Sequence, residues 1–141
     1  MAGDIPNVFD FPNFETNFQK VSTFHEVFCP EQINGSPTFP PSNIQRLRRH
    51  LIAEEFKELR DAMHQKNMIE VADAIADLLY VVYGTAVAFG INADAVFAEV
   101  HRSNMSKAGE DGKAIRREDG KVMKGPNYSP PDIKGVLGEF V

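Results

Sequence analysis

A single cysteine, Cys29, in 141 residues leaves no internal disulfide to be formed, which suits a reducing, cytoplasmic compartment. Cys29 stands in no nucleophile pattern and reads as a buried or bystander thiol. A basic surplus is missing too. The 15 Lys and Arg against 20 Asp and Glu give a net charge of -5, which argues against a nucleic-acid or anionic-membrane binder. The N-terminus has neither the basic nor the apolar stretch of a signal peptide. Glycine-rich phosphate loops, a Ser-His-Asp set and a dinucleotide fingerprint are all absent. No Lys, Arg or His occurs from Ile69 to Ala98.

That last absence sharpens what is present. Val71 to Ile91 is almost unbrokenly apolar, yet it carries Asp73 and Asp77, with Glu70 just before it. On a helix, positions 70, 73 and 77 fall within roughly 60° of one another. The run is long enough for a membrane span, but two mid-run aspartates cost about 2.5–3.5 kcal/mol each on an insertion scale, and no basic flank is present. Buried carboxylates need a partner of positive charge. A second acidic cluster, Glu54-Glu55-x-x-Glu58, lies one helix earlier, and two such clusters facing each other describe a divalent-metal site. Oxygen ligands suit Mg²⁺ or Mn²⁺, and the scarcity of Cys and His in the set disfavours zinc. His50, one turn before Glu54, reads as solvated or as a supporting residue before a ligand. A purely structural alternative has the aspartates paired with Arg46, Arg48 or Arg49.

The length suits one domain with its own core, and hydrophobic and charged contents of 43% and 25% are ordinary for a soluble protein. An irregular arm over 1–12 precedes a helix over Phe14–Phe28, capped by Asn13 and closed by Pro30. Residues 30–41 form a loop stiffened by Pro40-Pro41. Ser42, with Gln45 in a capping box, starts a second helix to Gln65. Asn67 caps a third, which Gly90 ends. Asn92 or Asp94 starts a fourth through Met105. Short connections imply antiparallel neighbours, so the expected fold is all-α, a four-to-five-helix antiparallel bundle. An irregular tail over 110–141 follows, with short strands at Ala114–Arg116 and Lys121–Met123 and a last helical turn within Ile133–Val141.

Seven cations, Arg102 to Lys124, concentrate in the last forty residues, opposite in sign to the bundle centre. Most read as a solvated face; one or two are placed to hold phosphate oxygens.

The acidic motifs, with Ala76-Asp77-Leu78-Leu79-Tyr80-Val81-Val82-Tyr83-Gly84 and the block from Val96 to Lys107, resemble the all-α nucleoside triphosphate pyrophosphohydrolase superfamily. The nearest branch is phosphoribosyl-ATP pyrophosphohydrolase-like and MazG-like, with dUTPases among its members. The likeness covers about residues 42–135 and implies a single domain of that kind over 1–141. By position it implies Glu54, Glu55 and Glu58 as metal ligands, with Glu55 and Glu58 catalytic and Asp77 the aspartate of the second motif. There is one departure. Three residues before Asp77, where the pattern has a glutamate, stands Ala74. Either the motif has slid to Glu70-Val71-Ala72-Asp73, or Asp73 replaces the glutamate.

The resemblance implies Mg²⁺, with Mn²⁺ as an alternative, at two or three ions per site. It implies hydrolysis of a dNTP or NTP, dUTP included, to the monophosphate and pyrophosphate, with water activated at an ion or by a glutamate such as Glu55. Asn104, Lys107, Arg102 and Tyr80 (or Tyr83) are the candidates for substrate contact, and a homodimer or higher homo-oligomer completes the core and each site. Three rivals stand beside this: a phosphoribosyl-ATP pyrophosphohydrolase of histidine biosynthesis, a non-enzymatic helical interaction module, and a metal carrier or redox carboxylate bundle.

Overall fold

The computed structural model describes residues 14–138; the arm over 1–12 and the Asn13 cap lie outside them. Five helices and one two-stranded ladder follow in order: α1 Asn17–Phe28, α2 Ser42–His64, α3 Met68–Phe89, α4 Ala93–Met105, β1 Ile115–Arg116, β2 Val122–Met123 and α5 Ile133–Leu137. The architecture is all-α.

The helix starts show which local signals act. α1 begins three residues later than Phe14. Thr16 caps it, its hydroxyl accepting from the Gln19 amide at 3.1 Å while Gln19 Oε1 accepts from the Thr16 amide at 2.8 Å. That Thr-x-x-Gln capping box is readable in the sequence. At α2 the expected Ser42 cap is not formed. Pro41 is the N-cap residue with no side-chain cap, Ser42 is already helical, and Gln45 instead donates to the Pro40 carbonyl at 2.7 Å. The two prolines pre-set the entry geometry, so no side chain is needed there. Asn67 and Asn92 cap α3 and α4 through the amides of Glu70 and Ala95. Gly90 closes α3 at φ 68°, where a Cβ would also collide with the Ser36 carbonyl.

α2 and α3 form the main antiparallel pair, with α1 laid against α3. The loop after α1 docks on the last turn of α3. The amides of Asn34 and Thr38 reach the carbonyls of Val87 and Phe89 at 3.3 and 3.0 Å, satisfying acceptors that a helix end leaves free. α4 packs chiefly on α5. Glu99 accepts from the Asp132 amide at 2.9 Å and Arg102 donates to the Pro130 carbonyl at 3.2 Å, which docks the tail. The ladder pairs Ile115 with Met123 and Arg116 with Val122, one residue shorter per strand than expected.

Few side chains are buried: Val21, Ala62, Ala74, Val87 and Ala88 form the apolar core. The most apolar helix, α3, is long and apolar enough to cross a membrane by length and composition. It leaves Ile69, Ile75, Leu79 and Val82 largely exposed within one chain.

Candidate metal centre

The α2–α3 pair runs antiparallel, so residues that precede its short connection meet residues that follow it. Near the connection lie two buried small residues, Ala62 on α2 and Ala74 on α3. One to two turns further from the connection, Glu55 and Glu58 on α2 face Asp77 on α3. These three carboxylates each offer an oxygen, and the oxygens lie within 4.8 Å of one another. At that separation two like charges repel by on the order of 1–4 kcal/mol, from bulk water to a protein-like dielectric. Among the described residues, no Lys or Arg comes within ion-pair distance of Glu55, Glu58, Asp73 or Asp77. The structural alternative of aspartate–arginine pairs is therefore not what the bundle forms.

Glu55 carries the strain of the arrangement. Its Oε2 is buried and has no hydrogen-bond partner among the described residues. Burial raises its pKa above the ordinary carboxylate value, and the charges of Glu58, Asp77, Glu54 and Asp73 raise it further. A buried acceptor without a donor, inside a ring of like charge, is the environment a hard divalent cation relieves. Three oxygens and no sulfur or imidazole fit Mg²⁺ or Mn²⁺. Glu55, Glu58 and Asp77 are the side chains that would hold such an ion.

The other acidic residues stand at the margin. Glu54 is exposed and pairs with His50 at 3.1 Å, both outside the cluster. His50 is accordingly a solvated neighbour. Asp73 is exposed one turn before Asp77, close enough for its charge to act on Glu55. Glu70 is exposed in the first turn of α3. Ala74, the departure from the acidic pattern, is buried in the bundle core.

Of the residues expected to touch substrate, Tyr80 sits one turn beyond Asp77, edge-on to Phe24 with ring centres 5.4 Å apart. It lines a slot of about 180 Å³ with Asn17, Lys20, Leu79 and Tyr83. Lys107 donates to Asn104 Oδ1 at 2.9 Å at the exposed end of α4. Arg102 is already engaged: its guanidinium grips Glu99 through bonds of 2.9 and 2.7 Å. None of the α4 residues is bonded to the carboxylates among the described residues.

Sequence reasoning missed a second polar layer on the far side of the acids. Arg48, 5% exposed, and His25, 2% exposed, meet over Gly84 of α3. Arg48 Nη2 donates to the Val81 carbonyl at 2.9 Å, Nε to Thr85 Oγ1 at 3.3 Å and Nη1 to Gln32 Oε1 at 3.4 Å. A Cβ on Gly84 would clash with Arg48 and lie 2.8 Å from His25 Nε2. The signal was available in the spacing, since Arg48 lies seven residues before Glu55 and so on the same stripe of α2.

A family model described as phosphoribosyl-ATP pyrophosphohydrolase matches residues 21–104. That span contains both acidic clusters and the arginine layer. An uncharacterized protein of Acanthamoeba polyphaga mimivirus is 43% identical over 90 residues, covering 60% of this chain and 36% of that relative. The chain thus spans about a third of the length of the relative it matches.

Proposed function

Because the chain belongs to the phosphoribosyl-ATP pyrophosphohydrolase family, we propose that its pyrophosphohydrolase chemistry is the Mg²⁺-dependent hydrolysis of a nucleoside triphosphate, such as a dNTP or dUTP, to the monophosphate and pyrophosphate. The observation that carries this reading is the partnerless Glu55 Oε2 within a ring of carboxylates. Glu55, Glu58 and Asp77 would hold the cation, and Asp73, exposed one turn before Asp77, is the nearest further carboxylate on α3 for a second ion. Bound there, the cation supplies positive charge to the phosphate oxygens as the phosphoanhydride bond breaks. Glu55, at the buried corner of the cluster, is placed to take the proton from the attacking water. The water oxygen joins the α-phosphorus, the bridging oxygen leaves with pyrophosphate, and the proton passes from Glu55 to solvent.

Asn104 and Lys107 are the better polar contacts for substrate, because Arg102 is held by Glu99 and the tail. Tyr80 offers an apolar face beside the acidic layer. The second reading, phosphoribosyl-ATP as substrate, is favoured by the description of the matching family itself.

We also propose a homodimer. Met68 and Ile69 are 78% and 81% exposed and Phe97 is 71% exposed. The two aspartates of α3 make a second copy a better cover than lipid.

Pyrophosphate release from a panel of NTPs, dNTPs and phosphoribosyl-ATP, with Mg²⁺ or Mn²⁺ and with chelator, tests the activity and names the substrate. Release that requires metal and prefers one dNTP supports the first reading, and preference for phosphoribosyl-ATP replaces it with the second. No release from any of them sinks both. Light scattering of the purified protein tests the dimer, and a monomer at micromolar concentration overturns it.

A further inference from the structure

Arg48 is a buried cation with no carboxylate within ion-pair distance among the described residues. Taking a charge out of water without an anion is costly, and an apolar side chain of similar volume often packs there at lower cost. Stability therefore does not account for its presence, whereas geometry does. The planar guanidinium projects from α2 and fixes two adjacent features of α3: the Val81 carbonyl at 2.9 Å and Thr85 Oγ1 at 3.3 Å. Thr85 Oγ1 itself donates to the same Val81 carbonyl at 2.8 Å, so the three groups close into one set. Gly84, lacking a Cβ, lets α3 approach close enough for this. Gln32, after α1, takes the remaining arm.

This tie lies in the same seam as the acids. Val81 is one turn from Asp77, and Arg48 is two turns from Glu55, about 6 and 10 Å along their helices. Cation-free carboxylates that repel one another are relieved if the two helices slide or splay. A tie from one helix to the backbone of the other opposes both motions.

We propose that Arg48 is a positioning residue for the metal centre, holding α2 against α3 at the axial offset where Glu55 and Glu58 face Asp77. The proposal rests on the metal-centre reading above. Lysine, with a single ammonium in place of a planar fork, does not reproduce the tie.

The test is Mn²⁺ titration by calorimetry on the full chain, read beside the thermal midpoint, for wild type, Arg48→Met, Arg48→Lys and Thr85→Val. Arg48→Met is expected to keep or raise the midpoint yet lose about tenfold in Mn²⁺ affinity, as outer supports of metal ligands typically do. Arg48→Lys should lose a similar factor, and Thr85→Val roughly threefold. Opposite movement of the two readouts separates positioning from a merely structural role. Folded Arg48 variants that bind Mn²⁺ like wild type overturn the proposal. If neither Arg48 variant folds, unchanged affinity in Thr85→Val overturns it instead. Wild type that binds no Mn²⁺ refutes the metal centre itself, a different failure from tight wild-type binding undisturbed at Arg48.

Discussion

Two polar layers share the α2–α3 seam, and they are finished differently. Around Arg48 each donating nitrogen finds an oxygen, from backbone, hydroxyl or amide. Around Glu55 three carboxylates crowd within 4.8 Å and one buried oxygen has no donor. Both layers sit on the same helices, but the arginine layer is buried, whereas Glu58 is exposed and Glu55 and Asp77 are half-buried. The guanidinium is satisfied by its own chain and ties the scaffold, although His25 Nδ1 beside it is also buried without a partner among the described residues. A layer left short of positive charge is completed from outside, and here the chemistry of the donors specifies a hard divalent cation.

The strongest way to break this contrast is to remove a carboxylate. Asp77→Ala or Glu58→Ala should lower pyrophosphate release about a thousandfold, since a metal clamp supplies several kcal/mol of charge stabilisation. The thermal midpoint should hold or rise, because a mutually repelling set has lost a member. A variant that is folded and fully active would show that the acids are surface decoration.

Next in size is stabilisation by metal. Mg²⁺ or Mn²⁺ at a hundred times its dissociation constant should stabilise the folded chain by about 2.7 kcal/mol, read as a shift in urea midpoint. Glu55→Gln should abolish most of that shift. Equal shifts in both proteins would place the ion elsewhere.

On the other layer, Gly84→Ala drives a methyl group into Arg48 and His25. Such overpacking costs about 1–3 kcal/mol in chemical denaturation. Indifference to this substitution would mean that the arginine layer is loosely packed.

The two layers also differ in their response to acid. Burial, and then the nearby Arg48 charge, hold the His25 imidazole below its ordinary value of 6.5, against a smaller opposing pull from Glu31. The unfolded chain therefore takes up the proton first. The histidine's contribution to stability should be constant above pH 6.5 and fall as pH drops below it, and His25→Gln should flatten that part of the profile. An unaltered pH profile in His25→Gln would remove the histidine from the account.

The smallest effect is expected at the tail. The Arg102 guanidinium, then the Asp132 amide, hold Glu99 down to about 2. The docking contribution is present above the ordinary 4.5 and disappears as pH falls through about 2. Glu99→Gln should loosen α5, read as faster amide exchange over 132–137, with little change in the global midpoint.

Much of this was legible in local pattern. Caps at Asn67 and Asn92 and the glycine stop at Gly90 follow from side-chain oxygens and left-handed backbone. The hairpin was visible from Asp111-Gly112 and Asp119-Gly120. The miss at Ser42 has a local cause as well, because Pro40-Pro41 had already done the work of a cap. What spacing did not settle was which acids meet. Glu54 is adjacent to Glu55 in sequence, yet 100° around the helix it faces solvent and His50. Glu70 shares the stripe of Asp77 but lies two turns away along the axis.

The sequence by itself determined the helices, their antiparallel order and an acidic stripe on the most apolar of them, because helical period and capping act over a few residues. Only the tertiary structure decided that Glu55, Glu58 and Asp77 converge, that Glu54 does not, and that Arg48 grips backbone and hydroxyl oxygens rather than an aspartate. Those outcomes depend on the axial offset and rotation of one helix against another, and packing across the seam sets both.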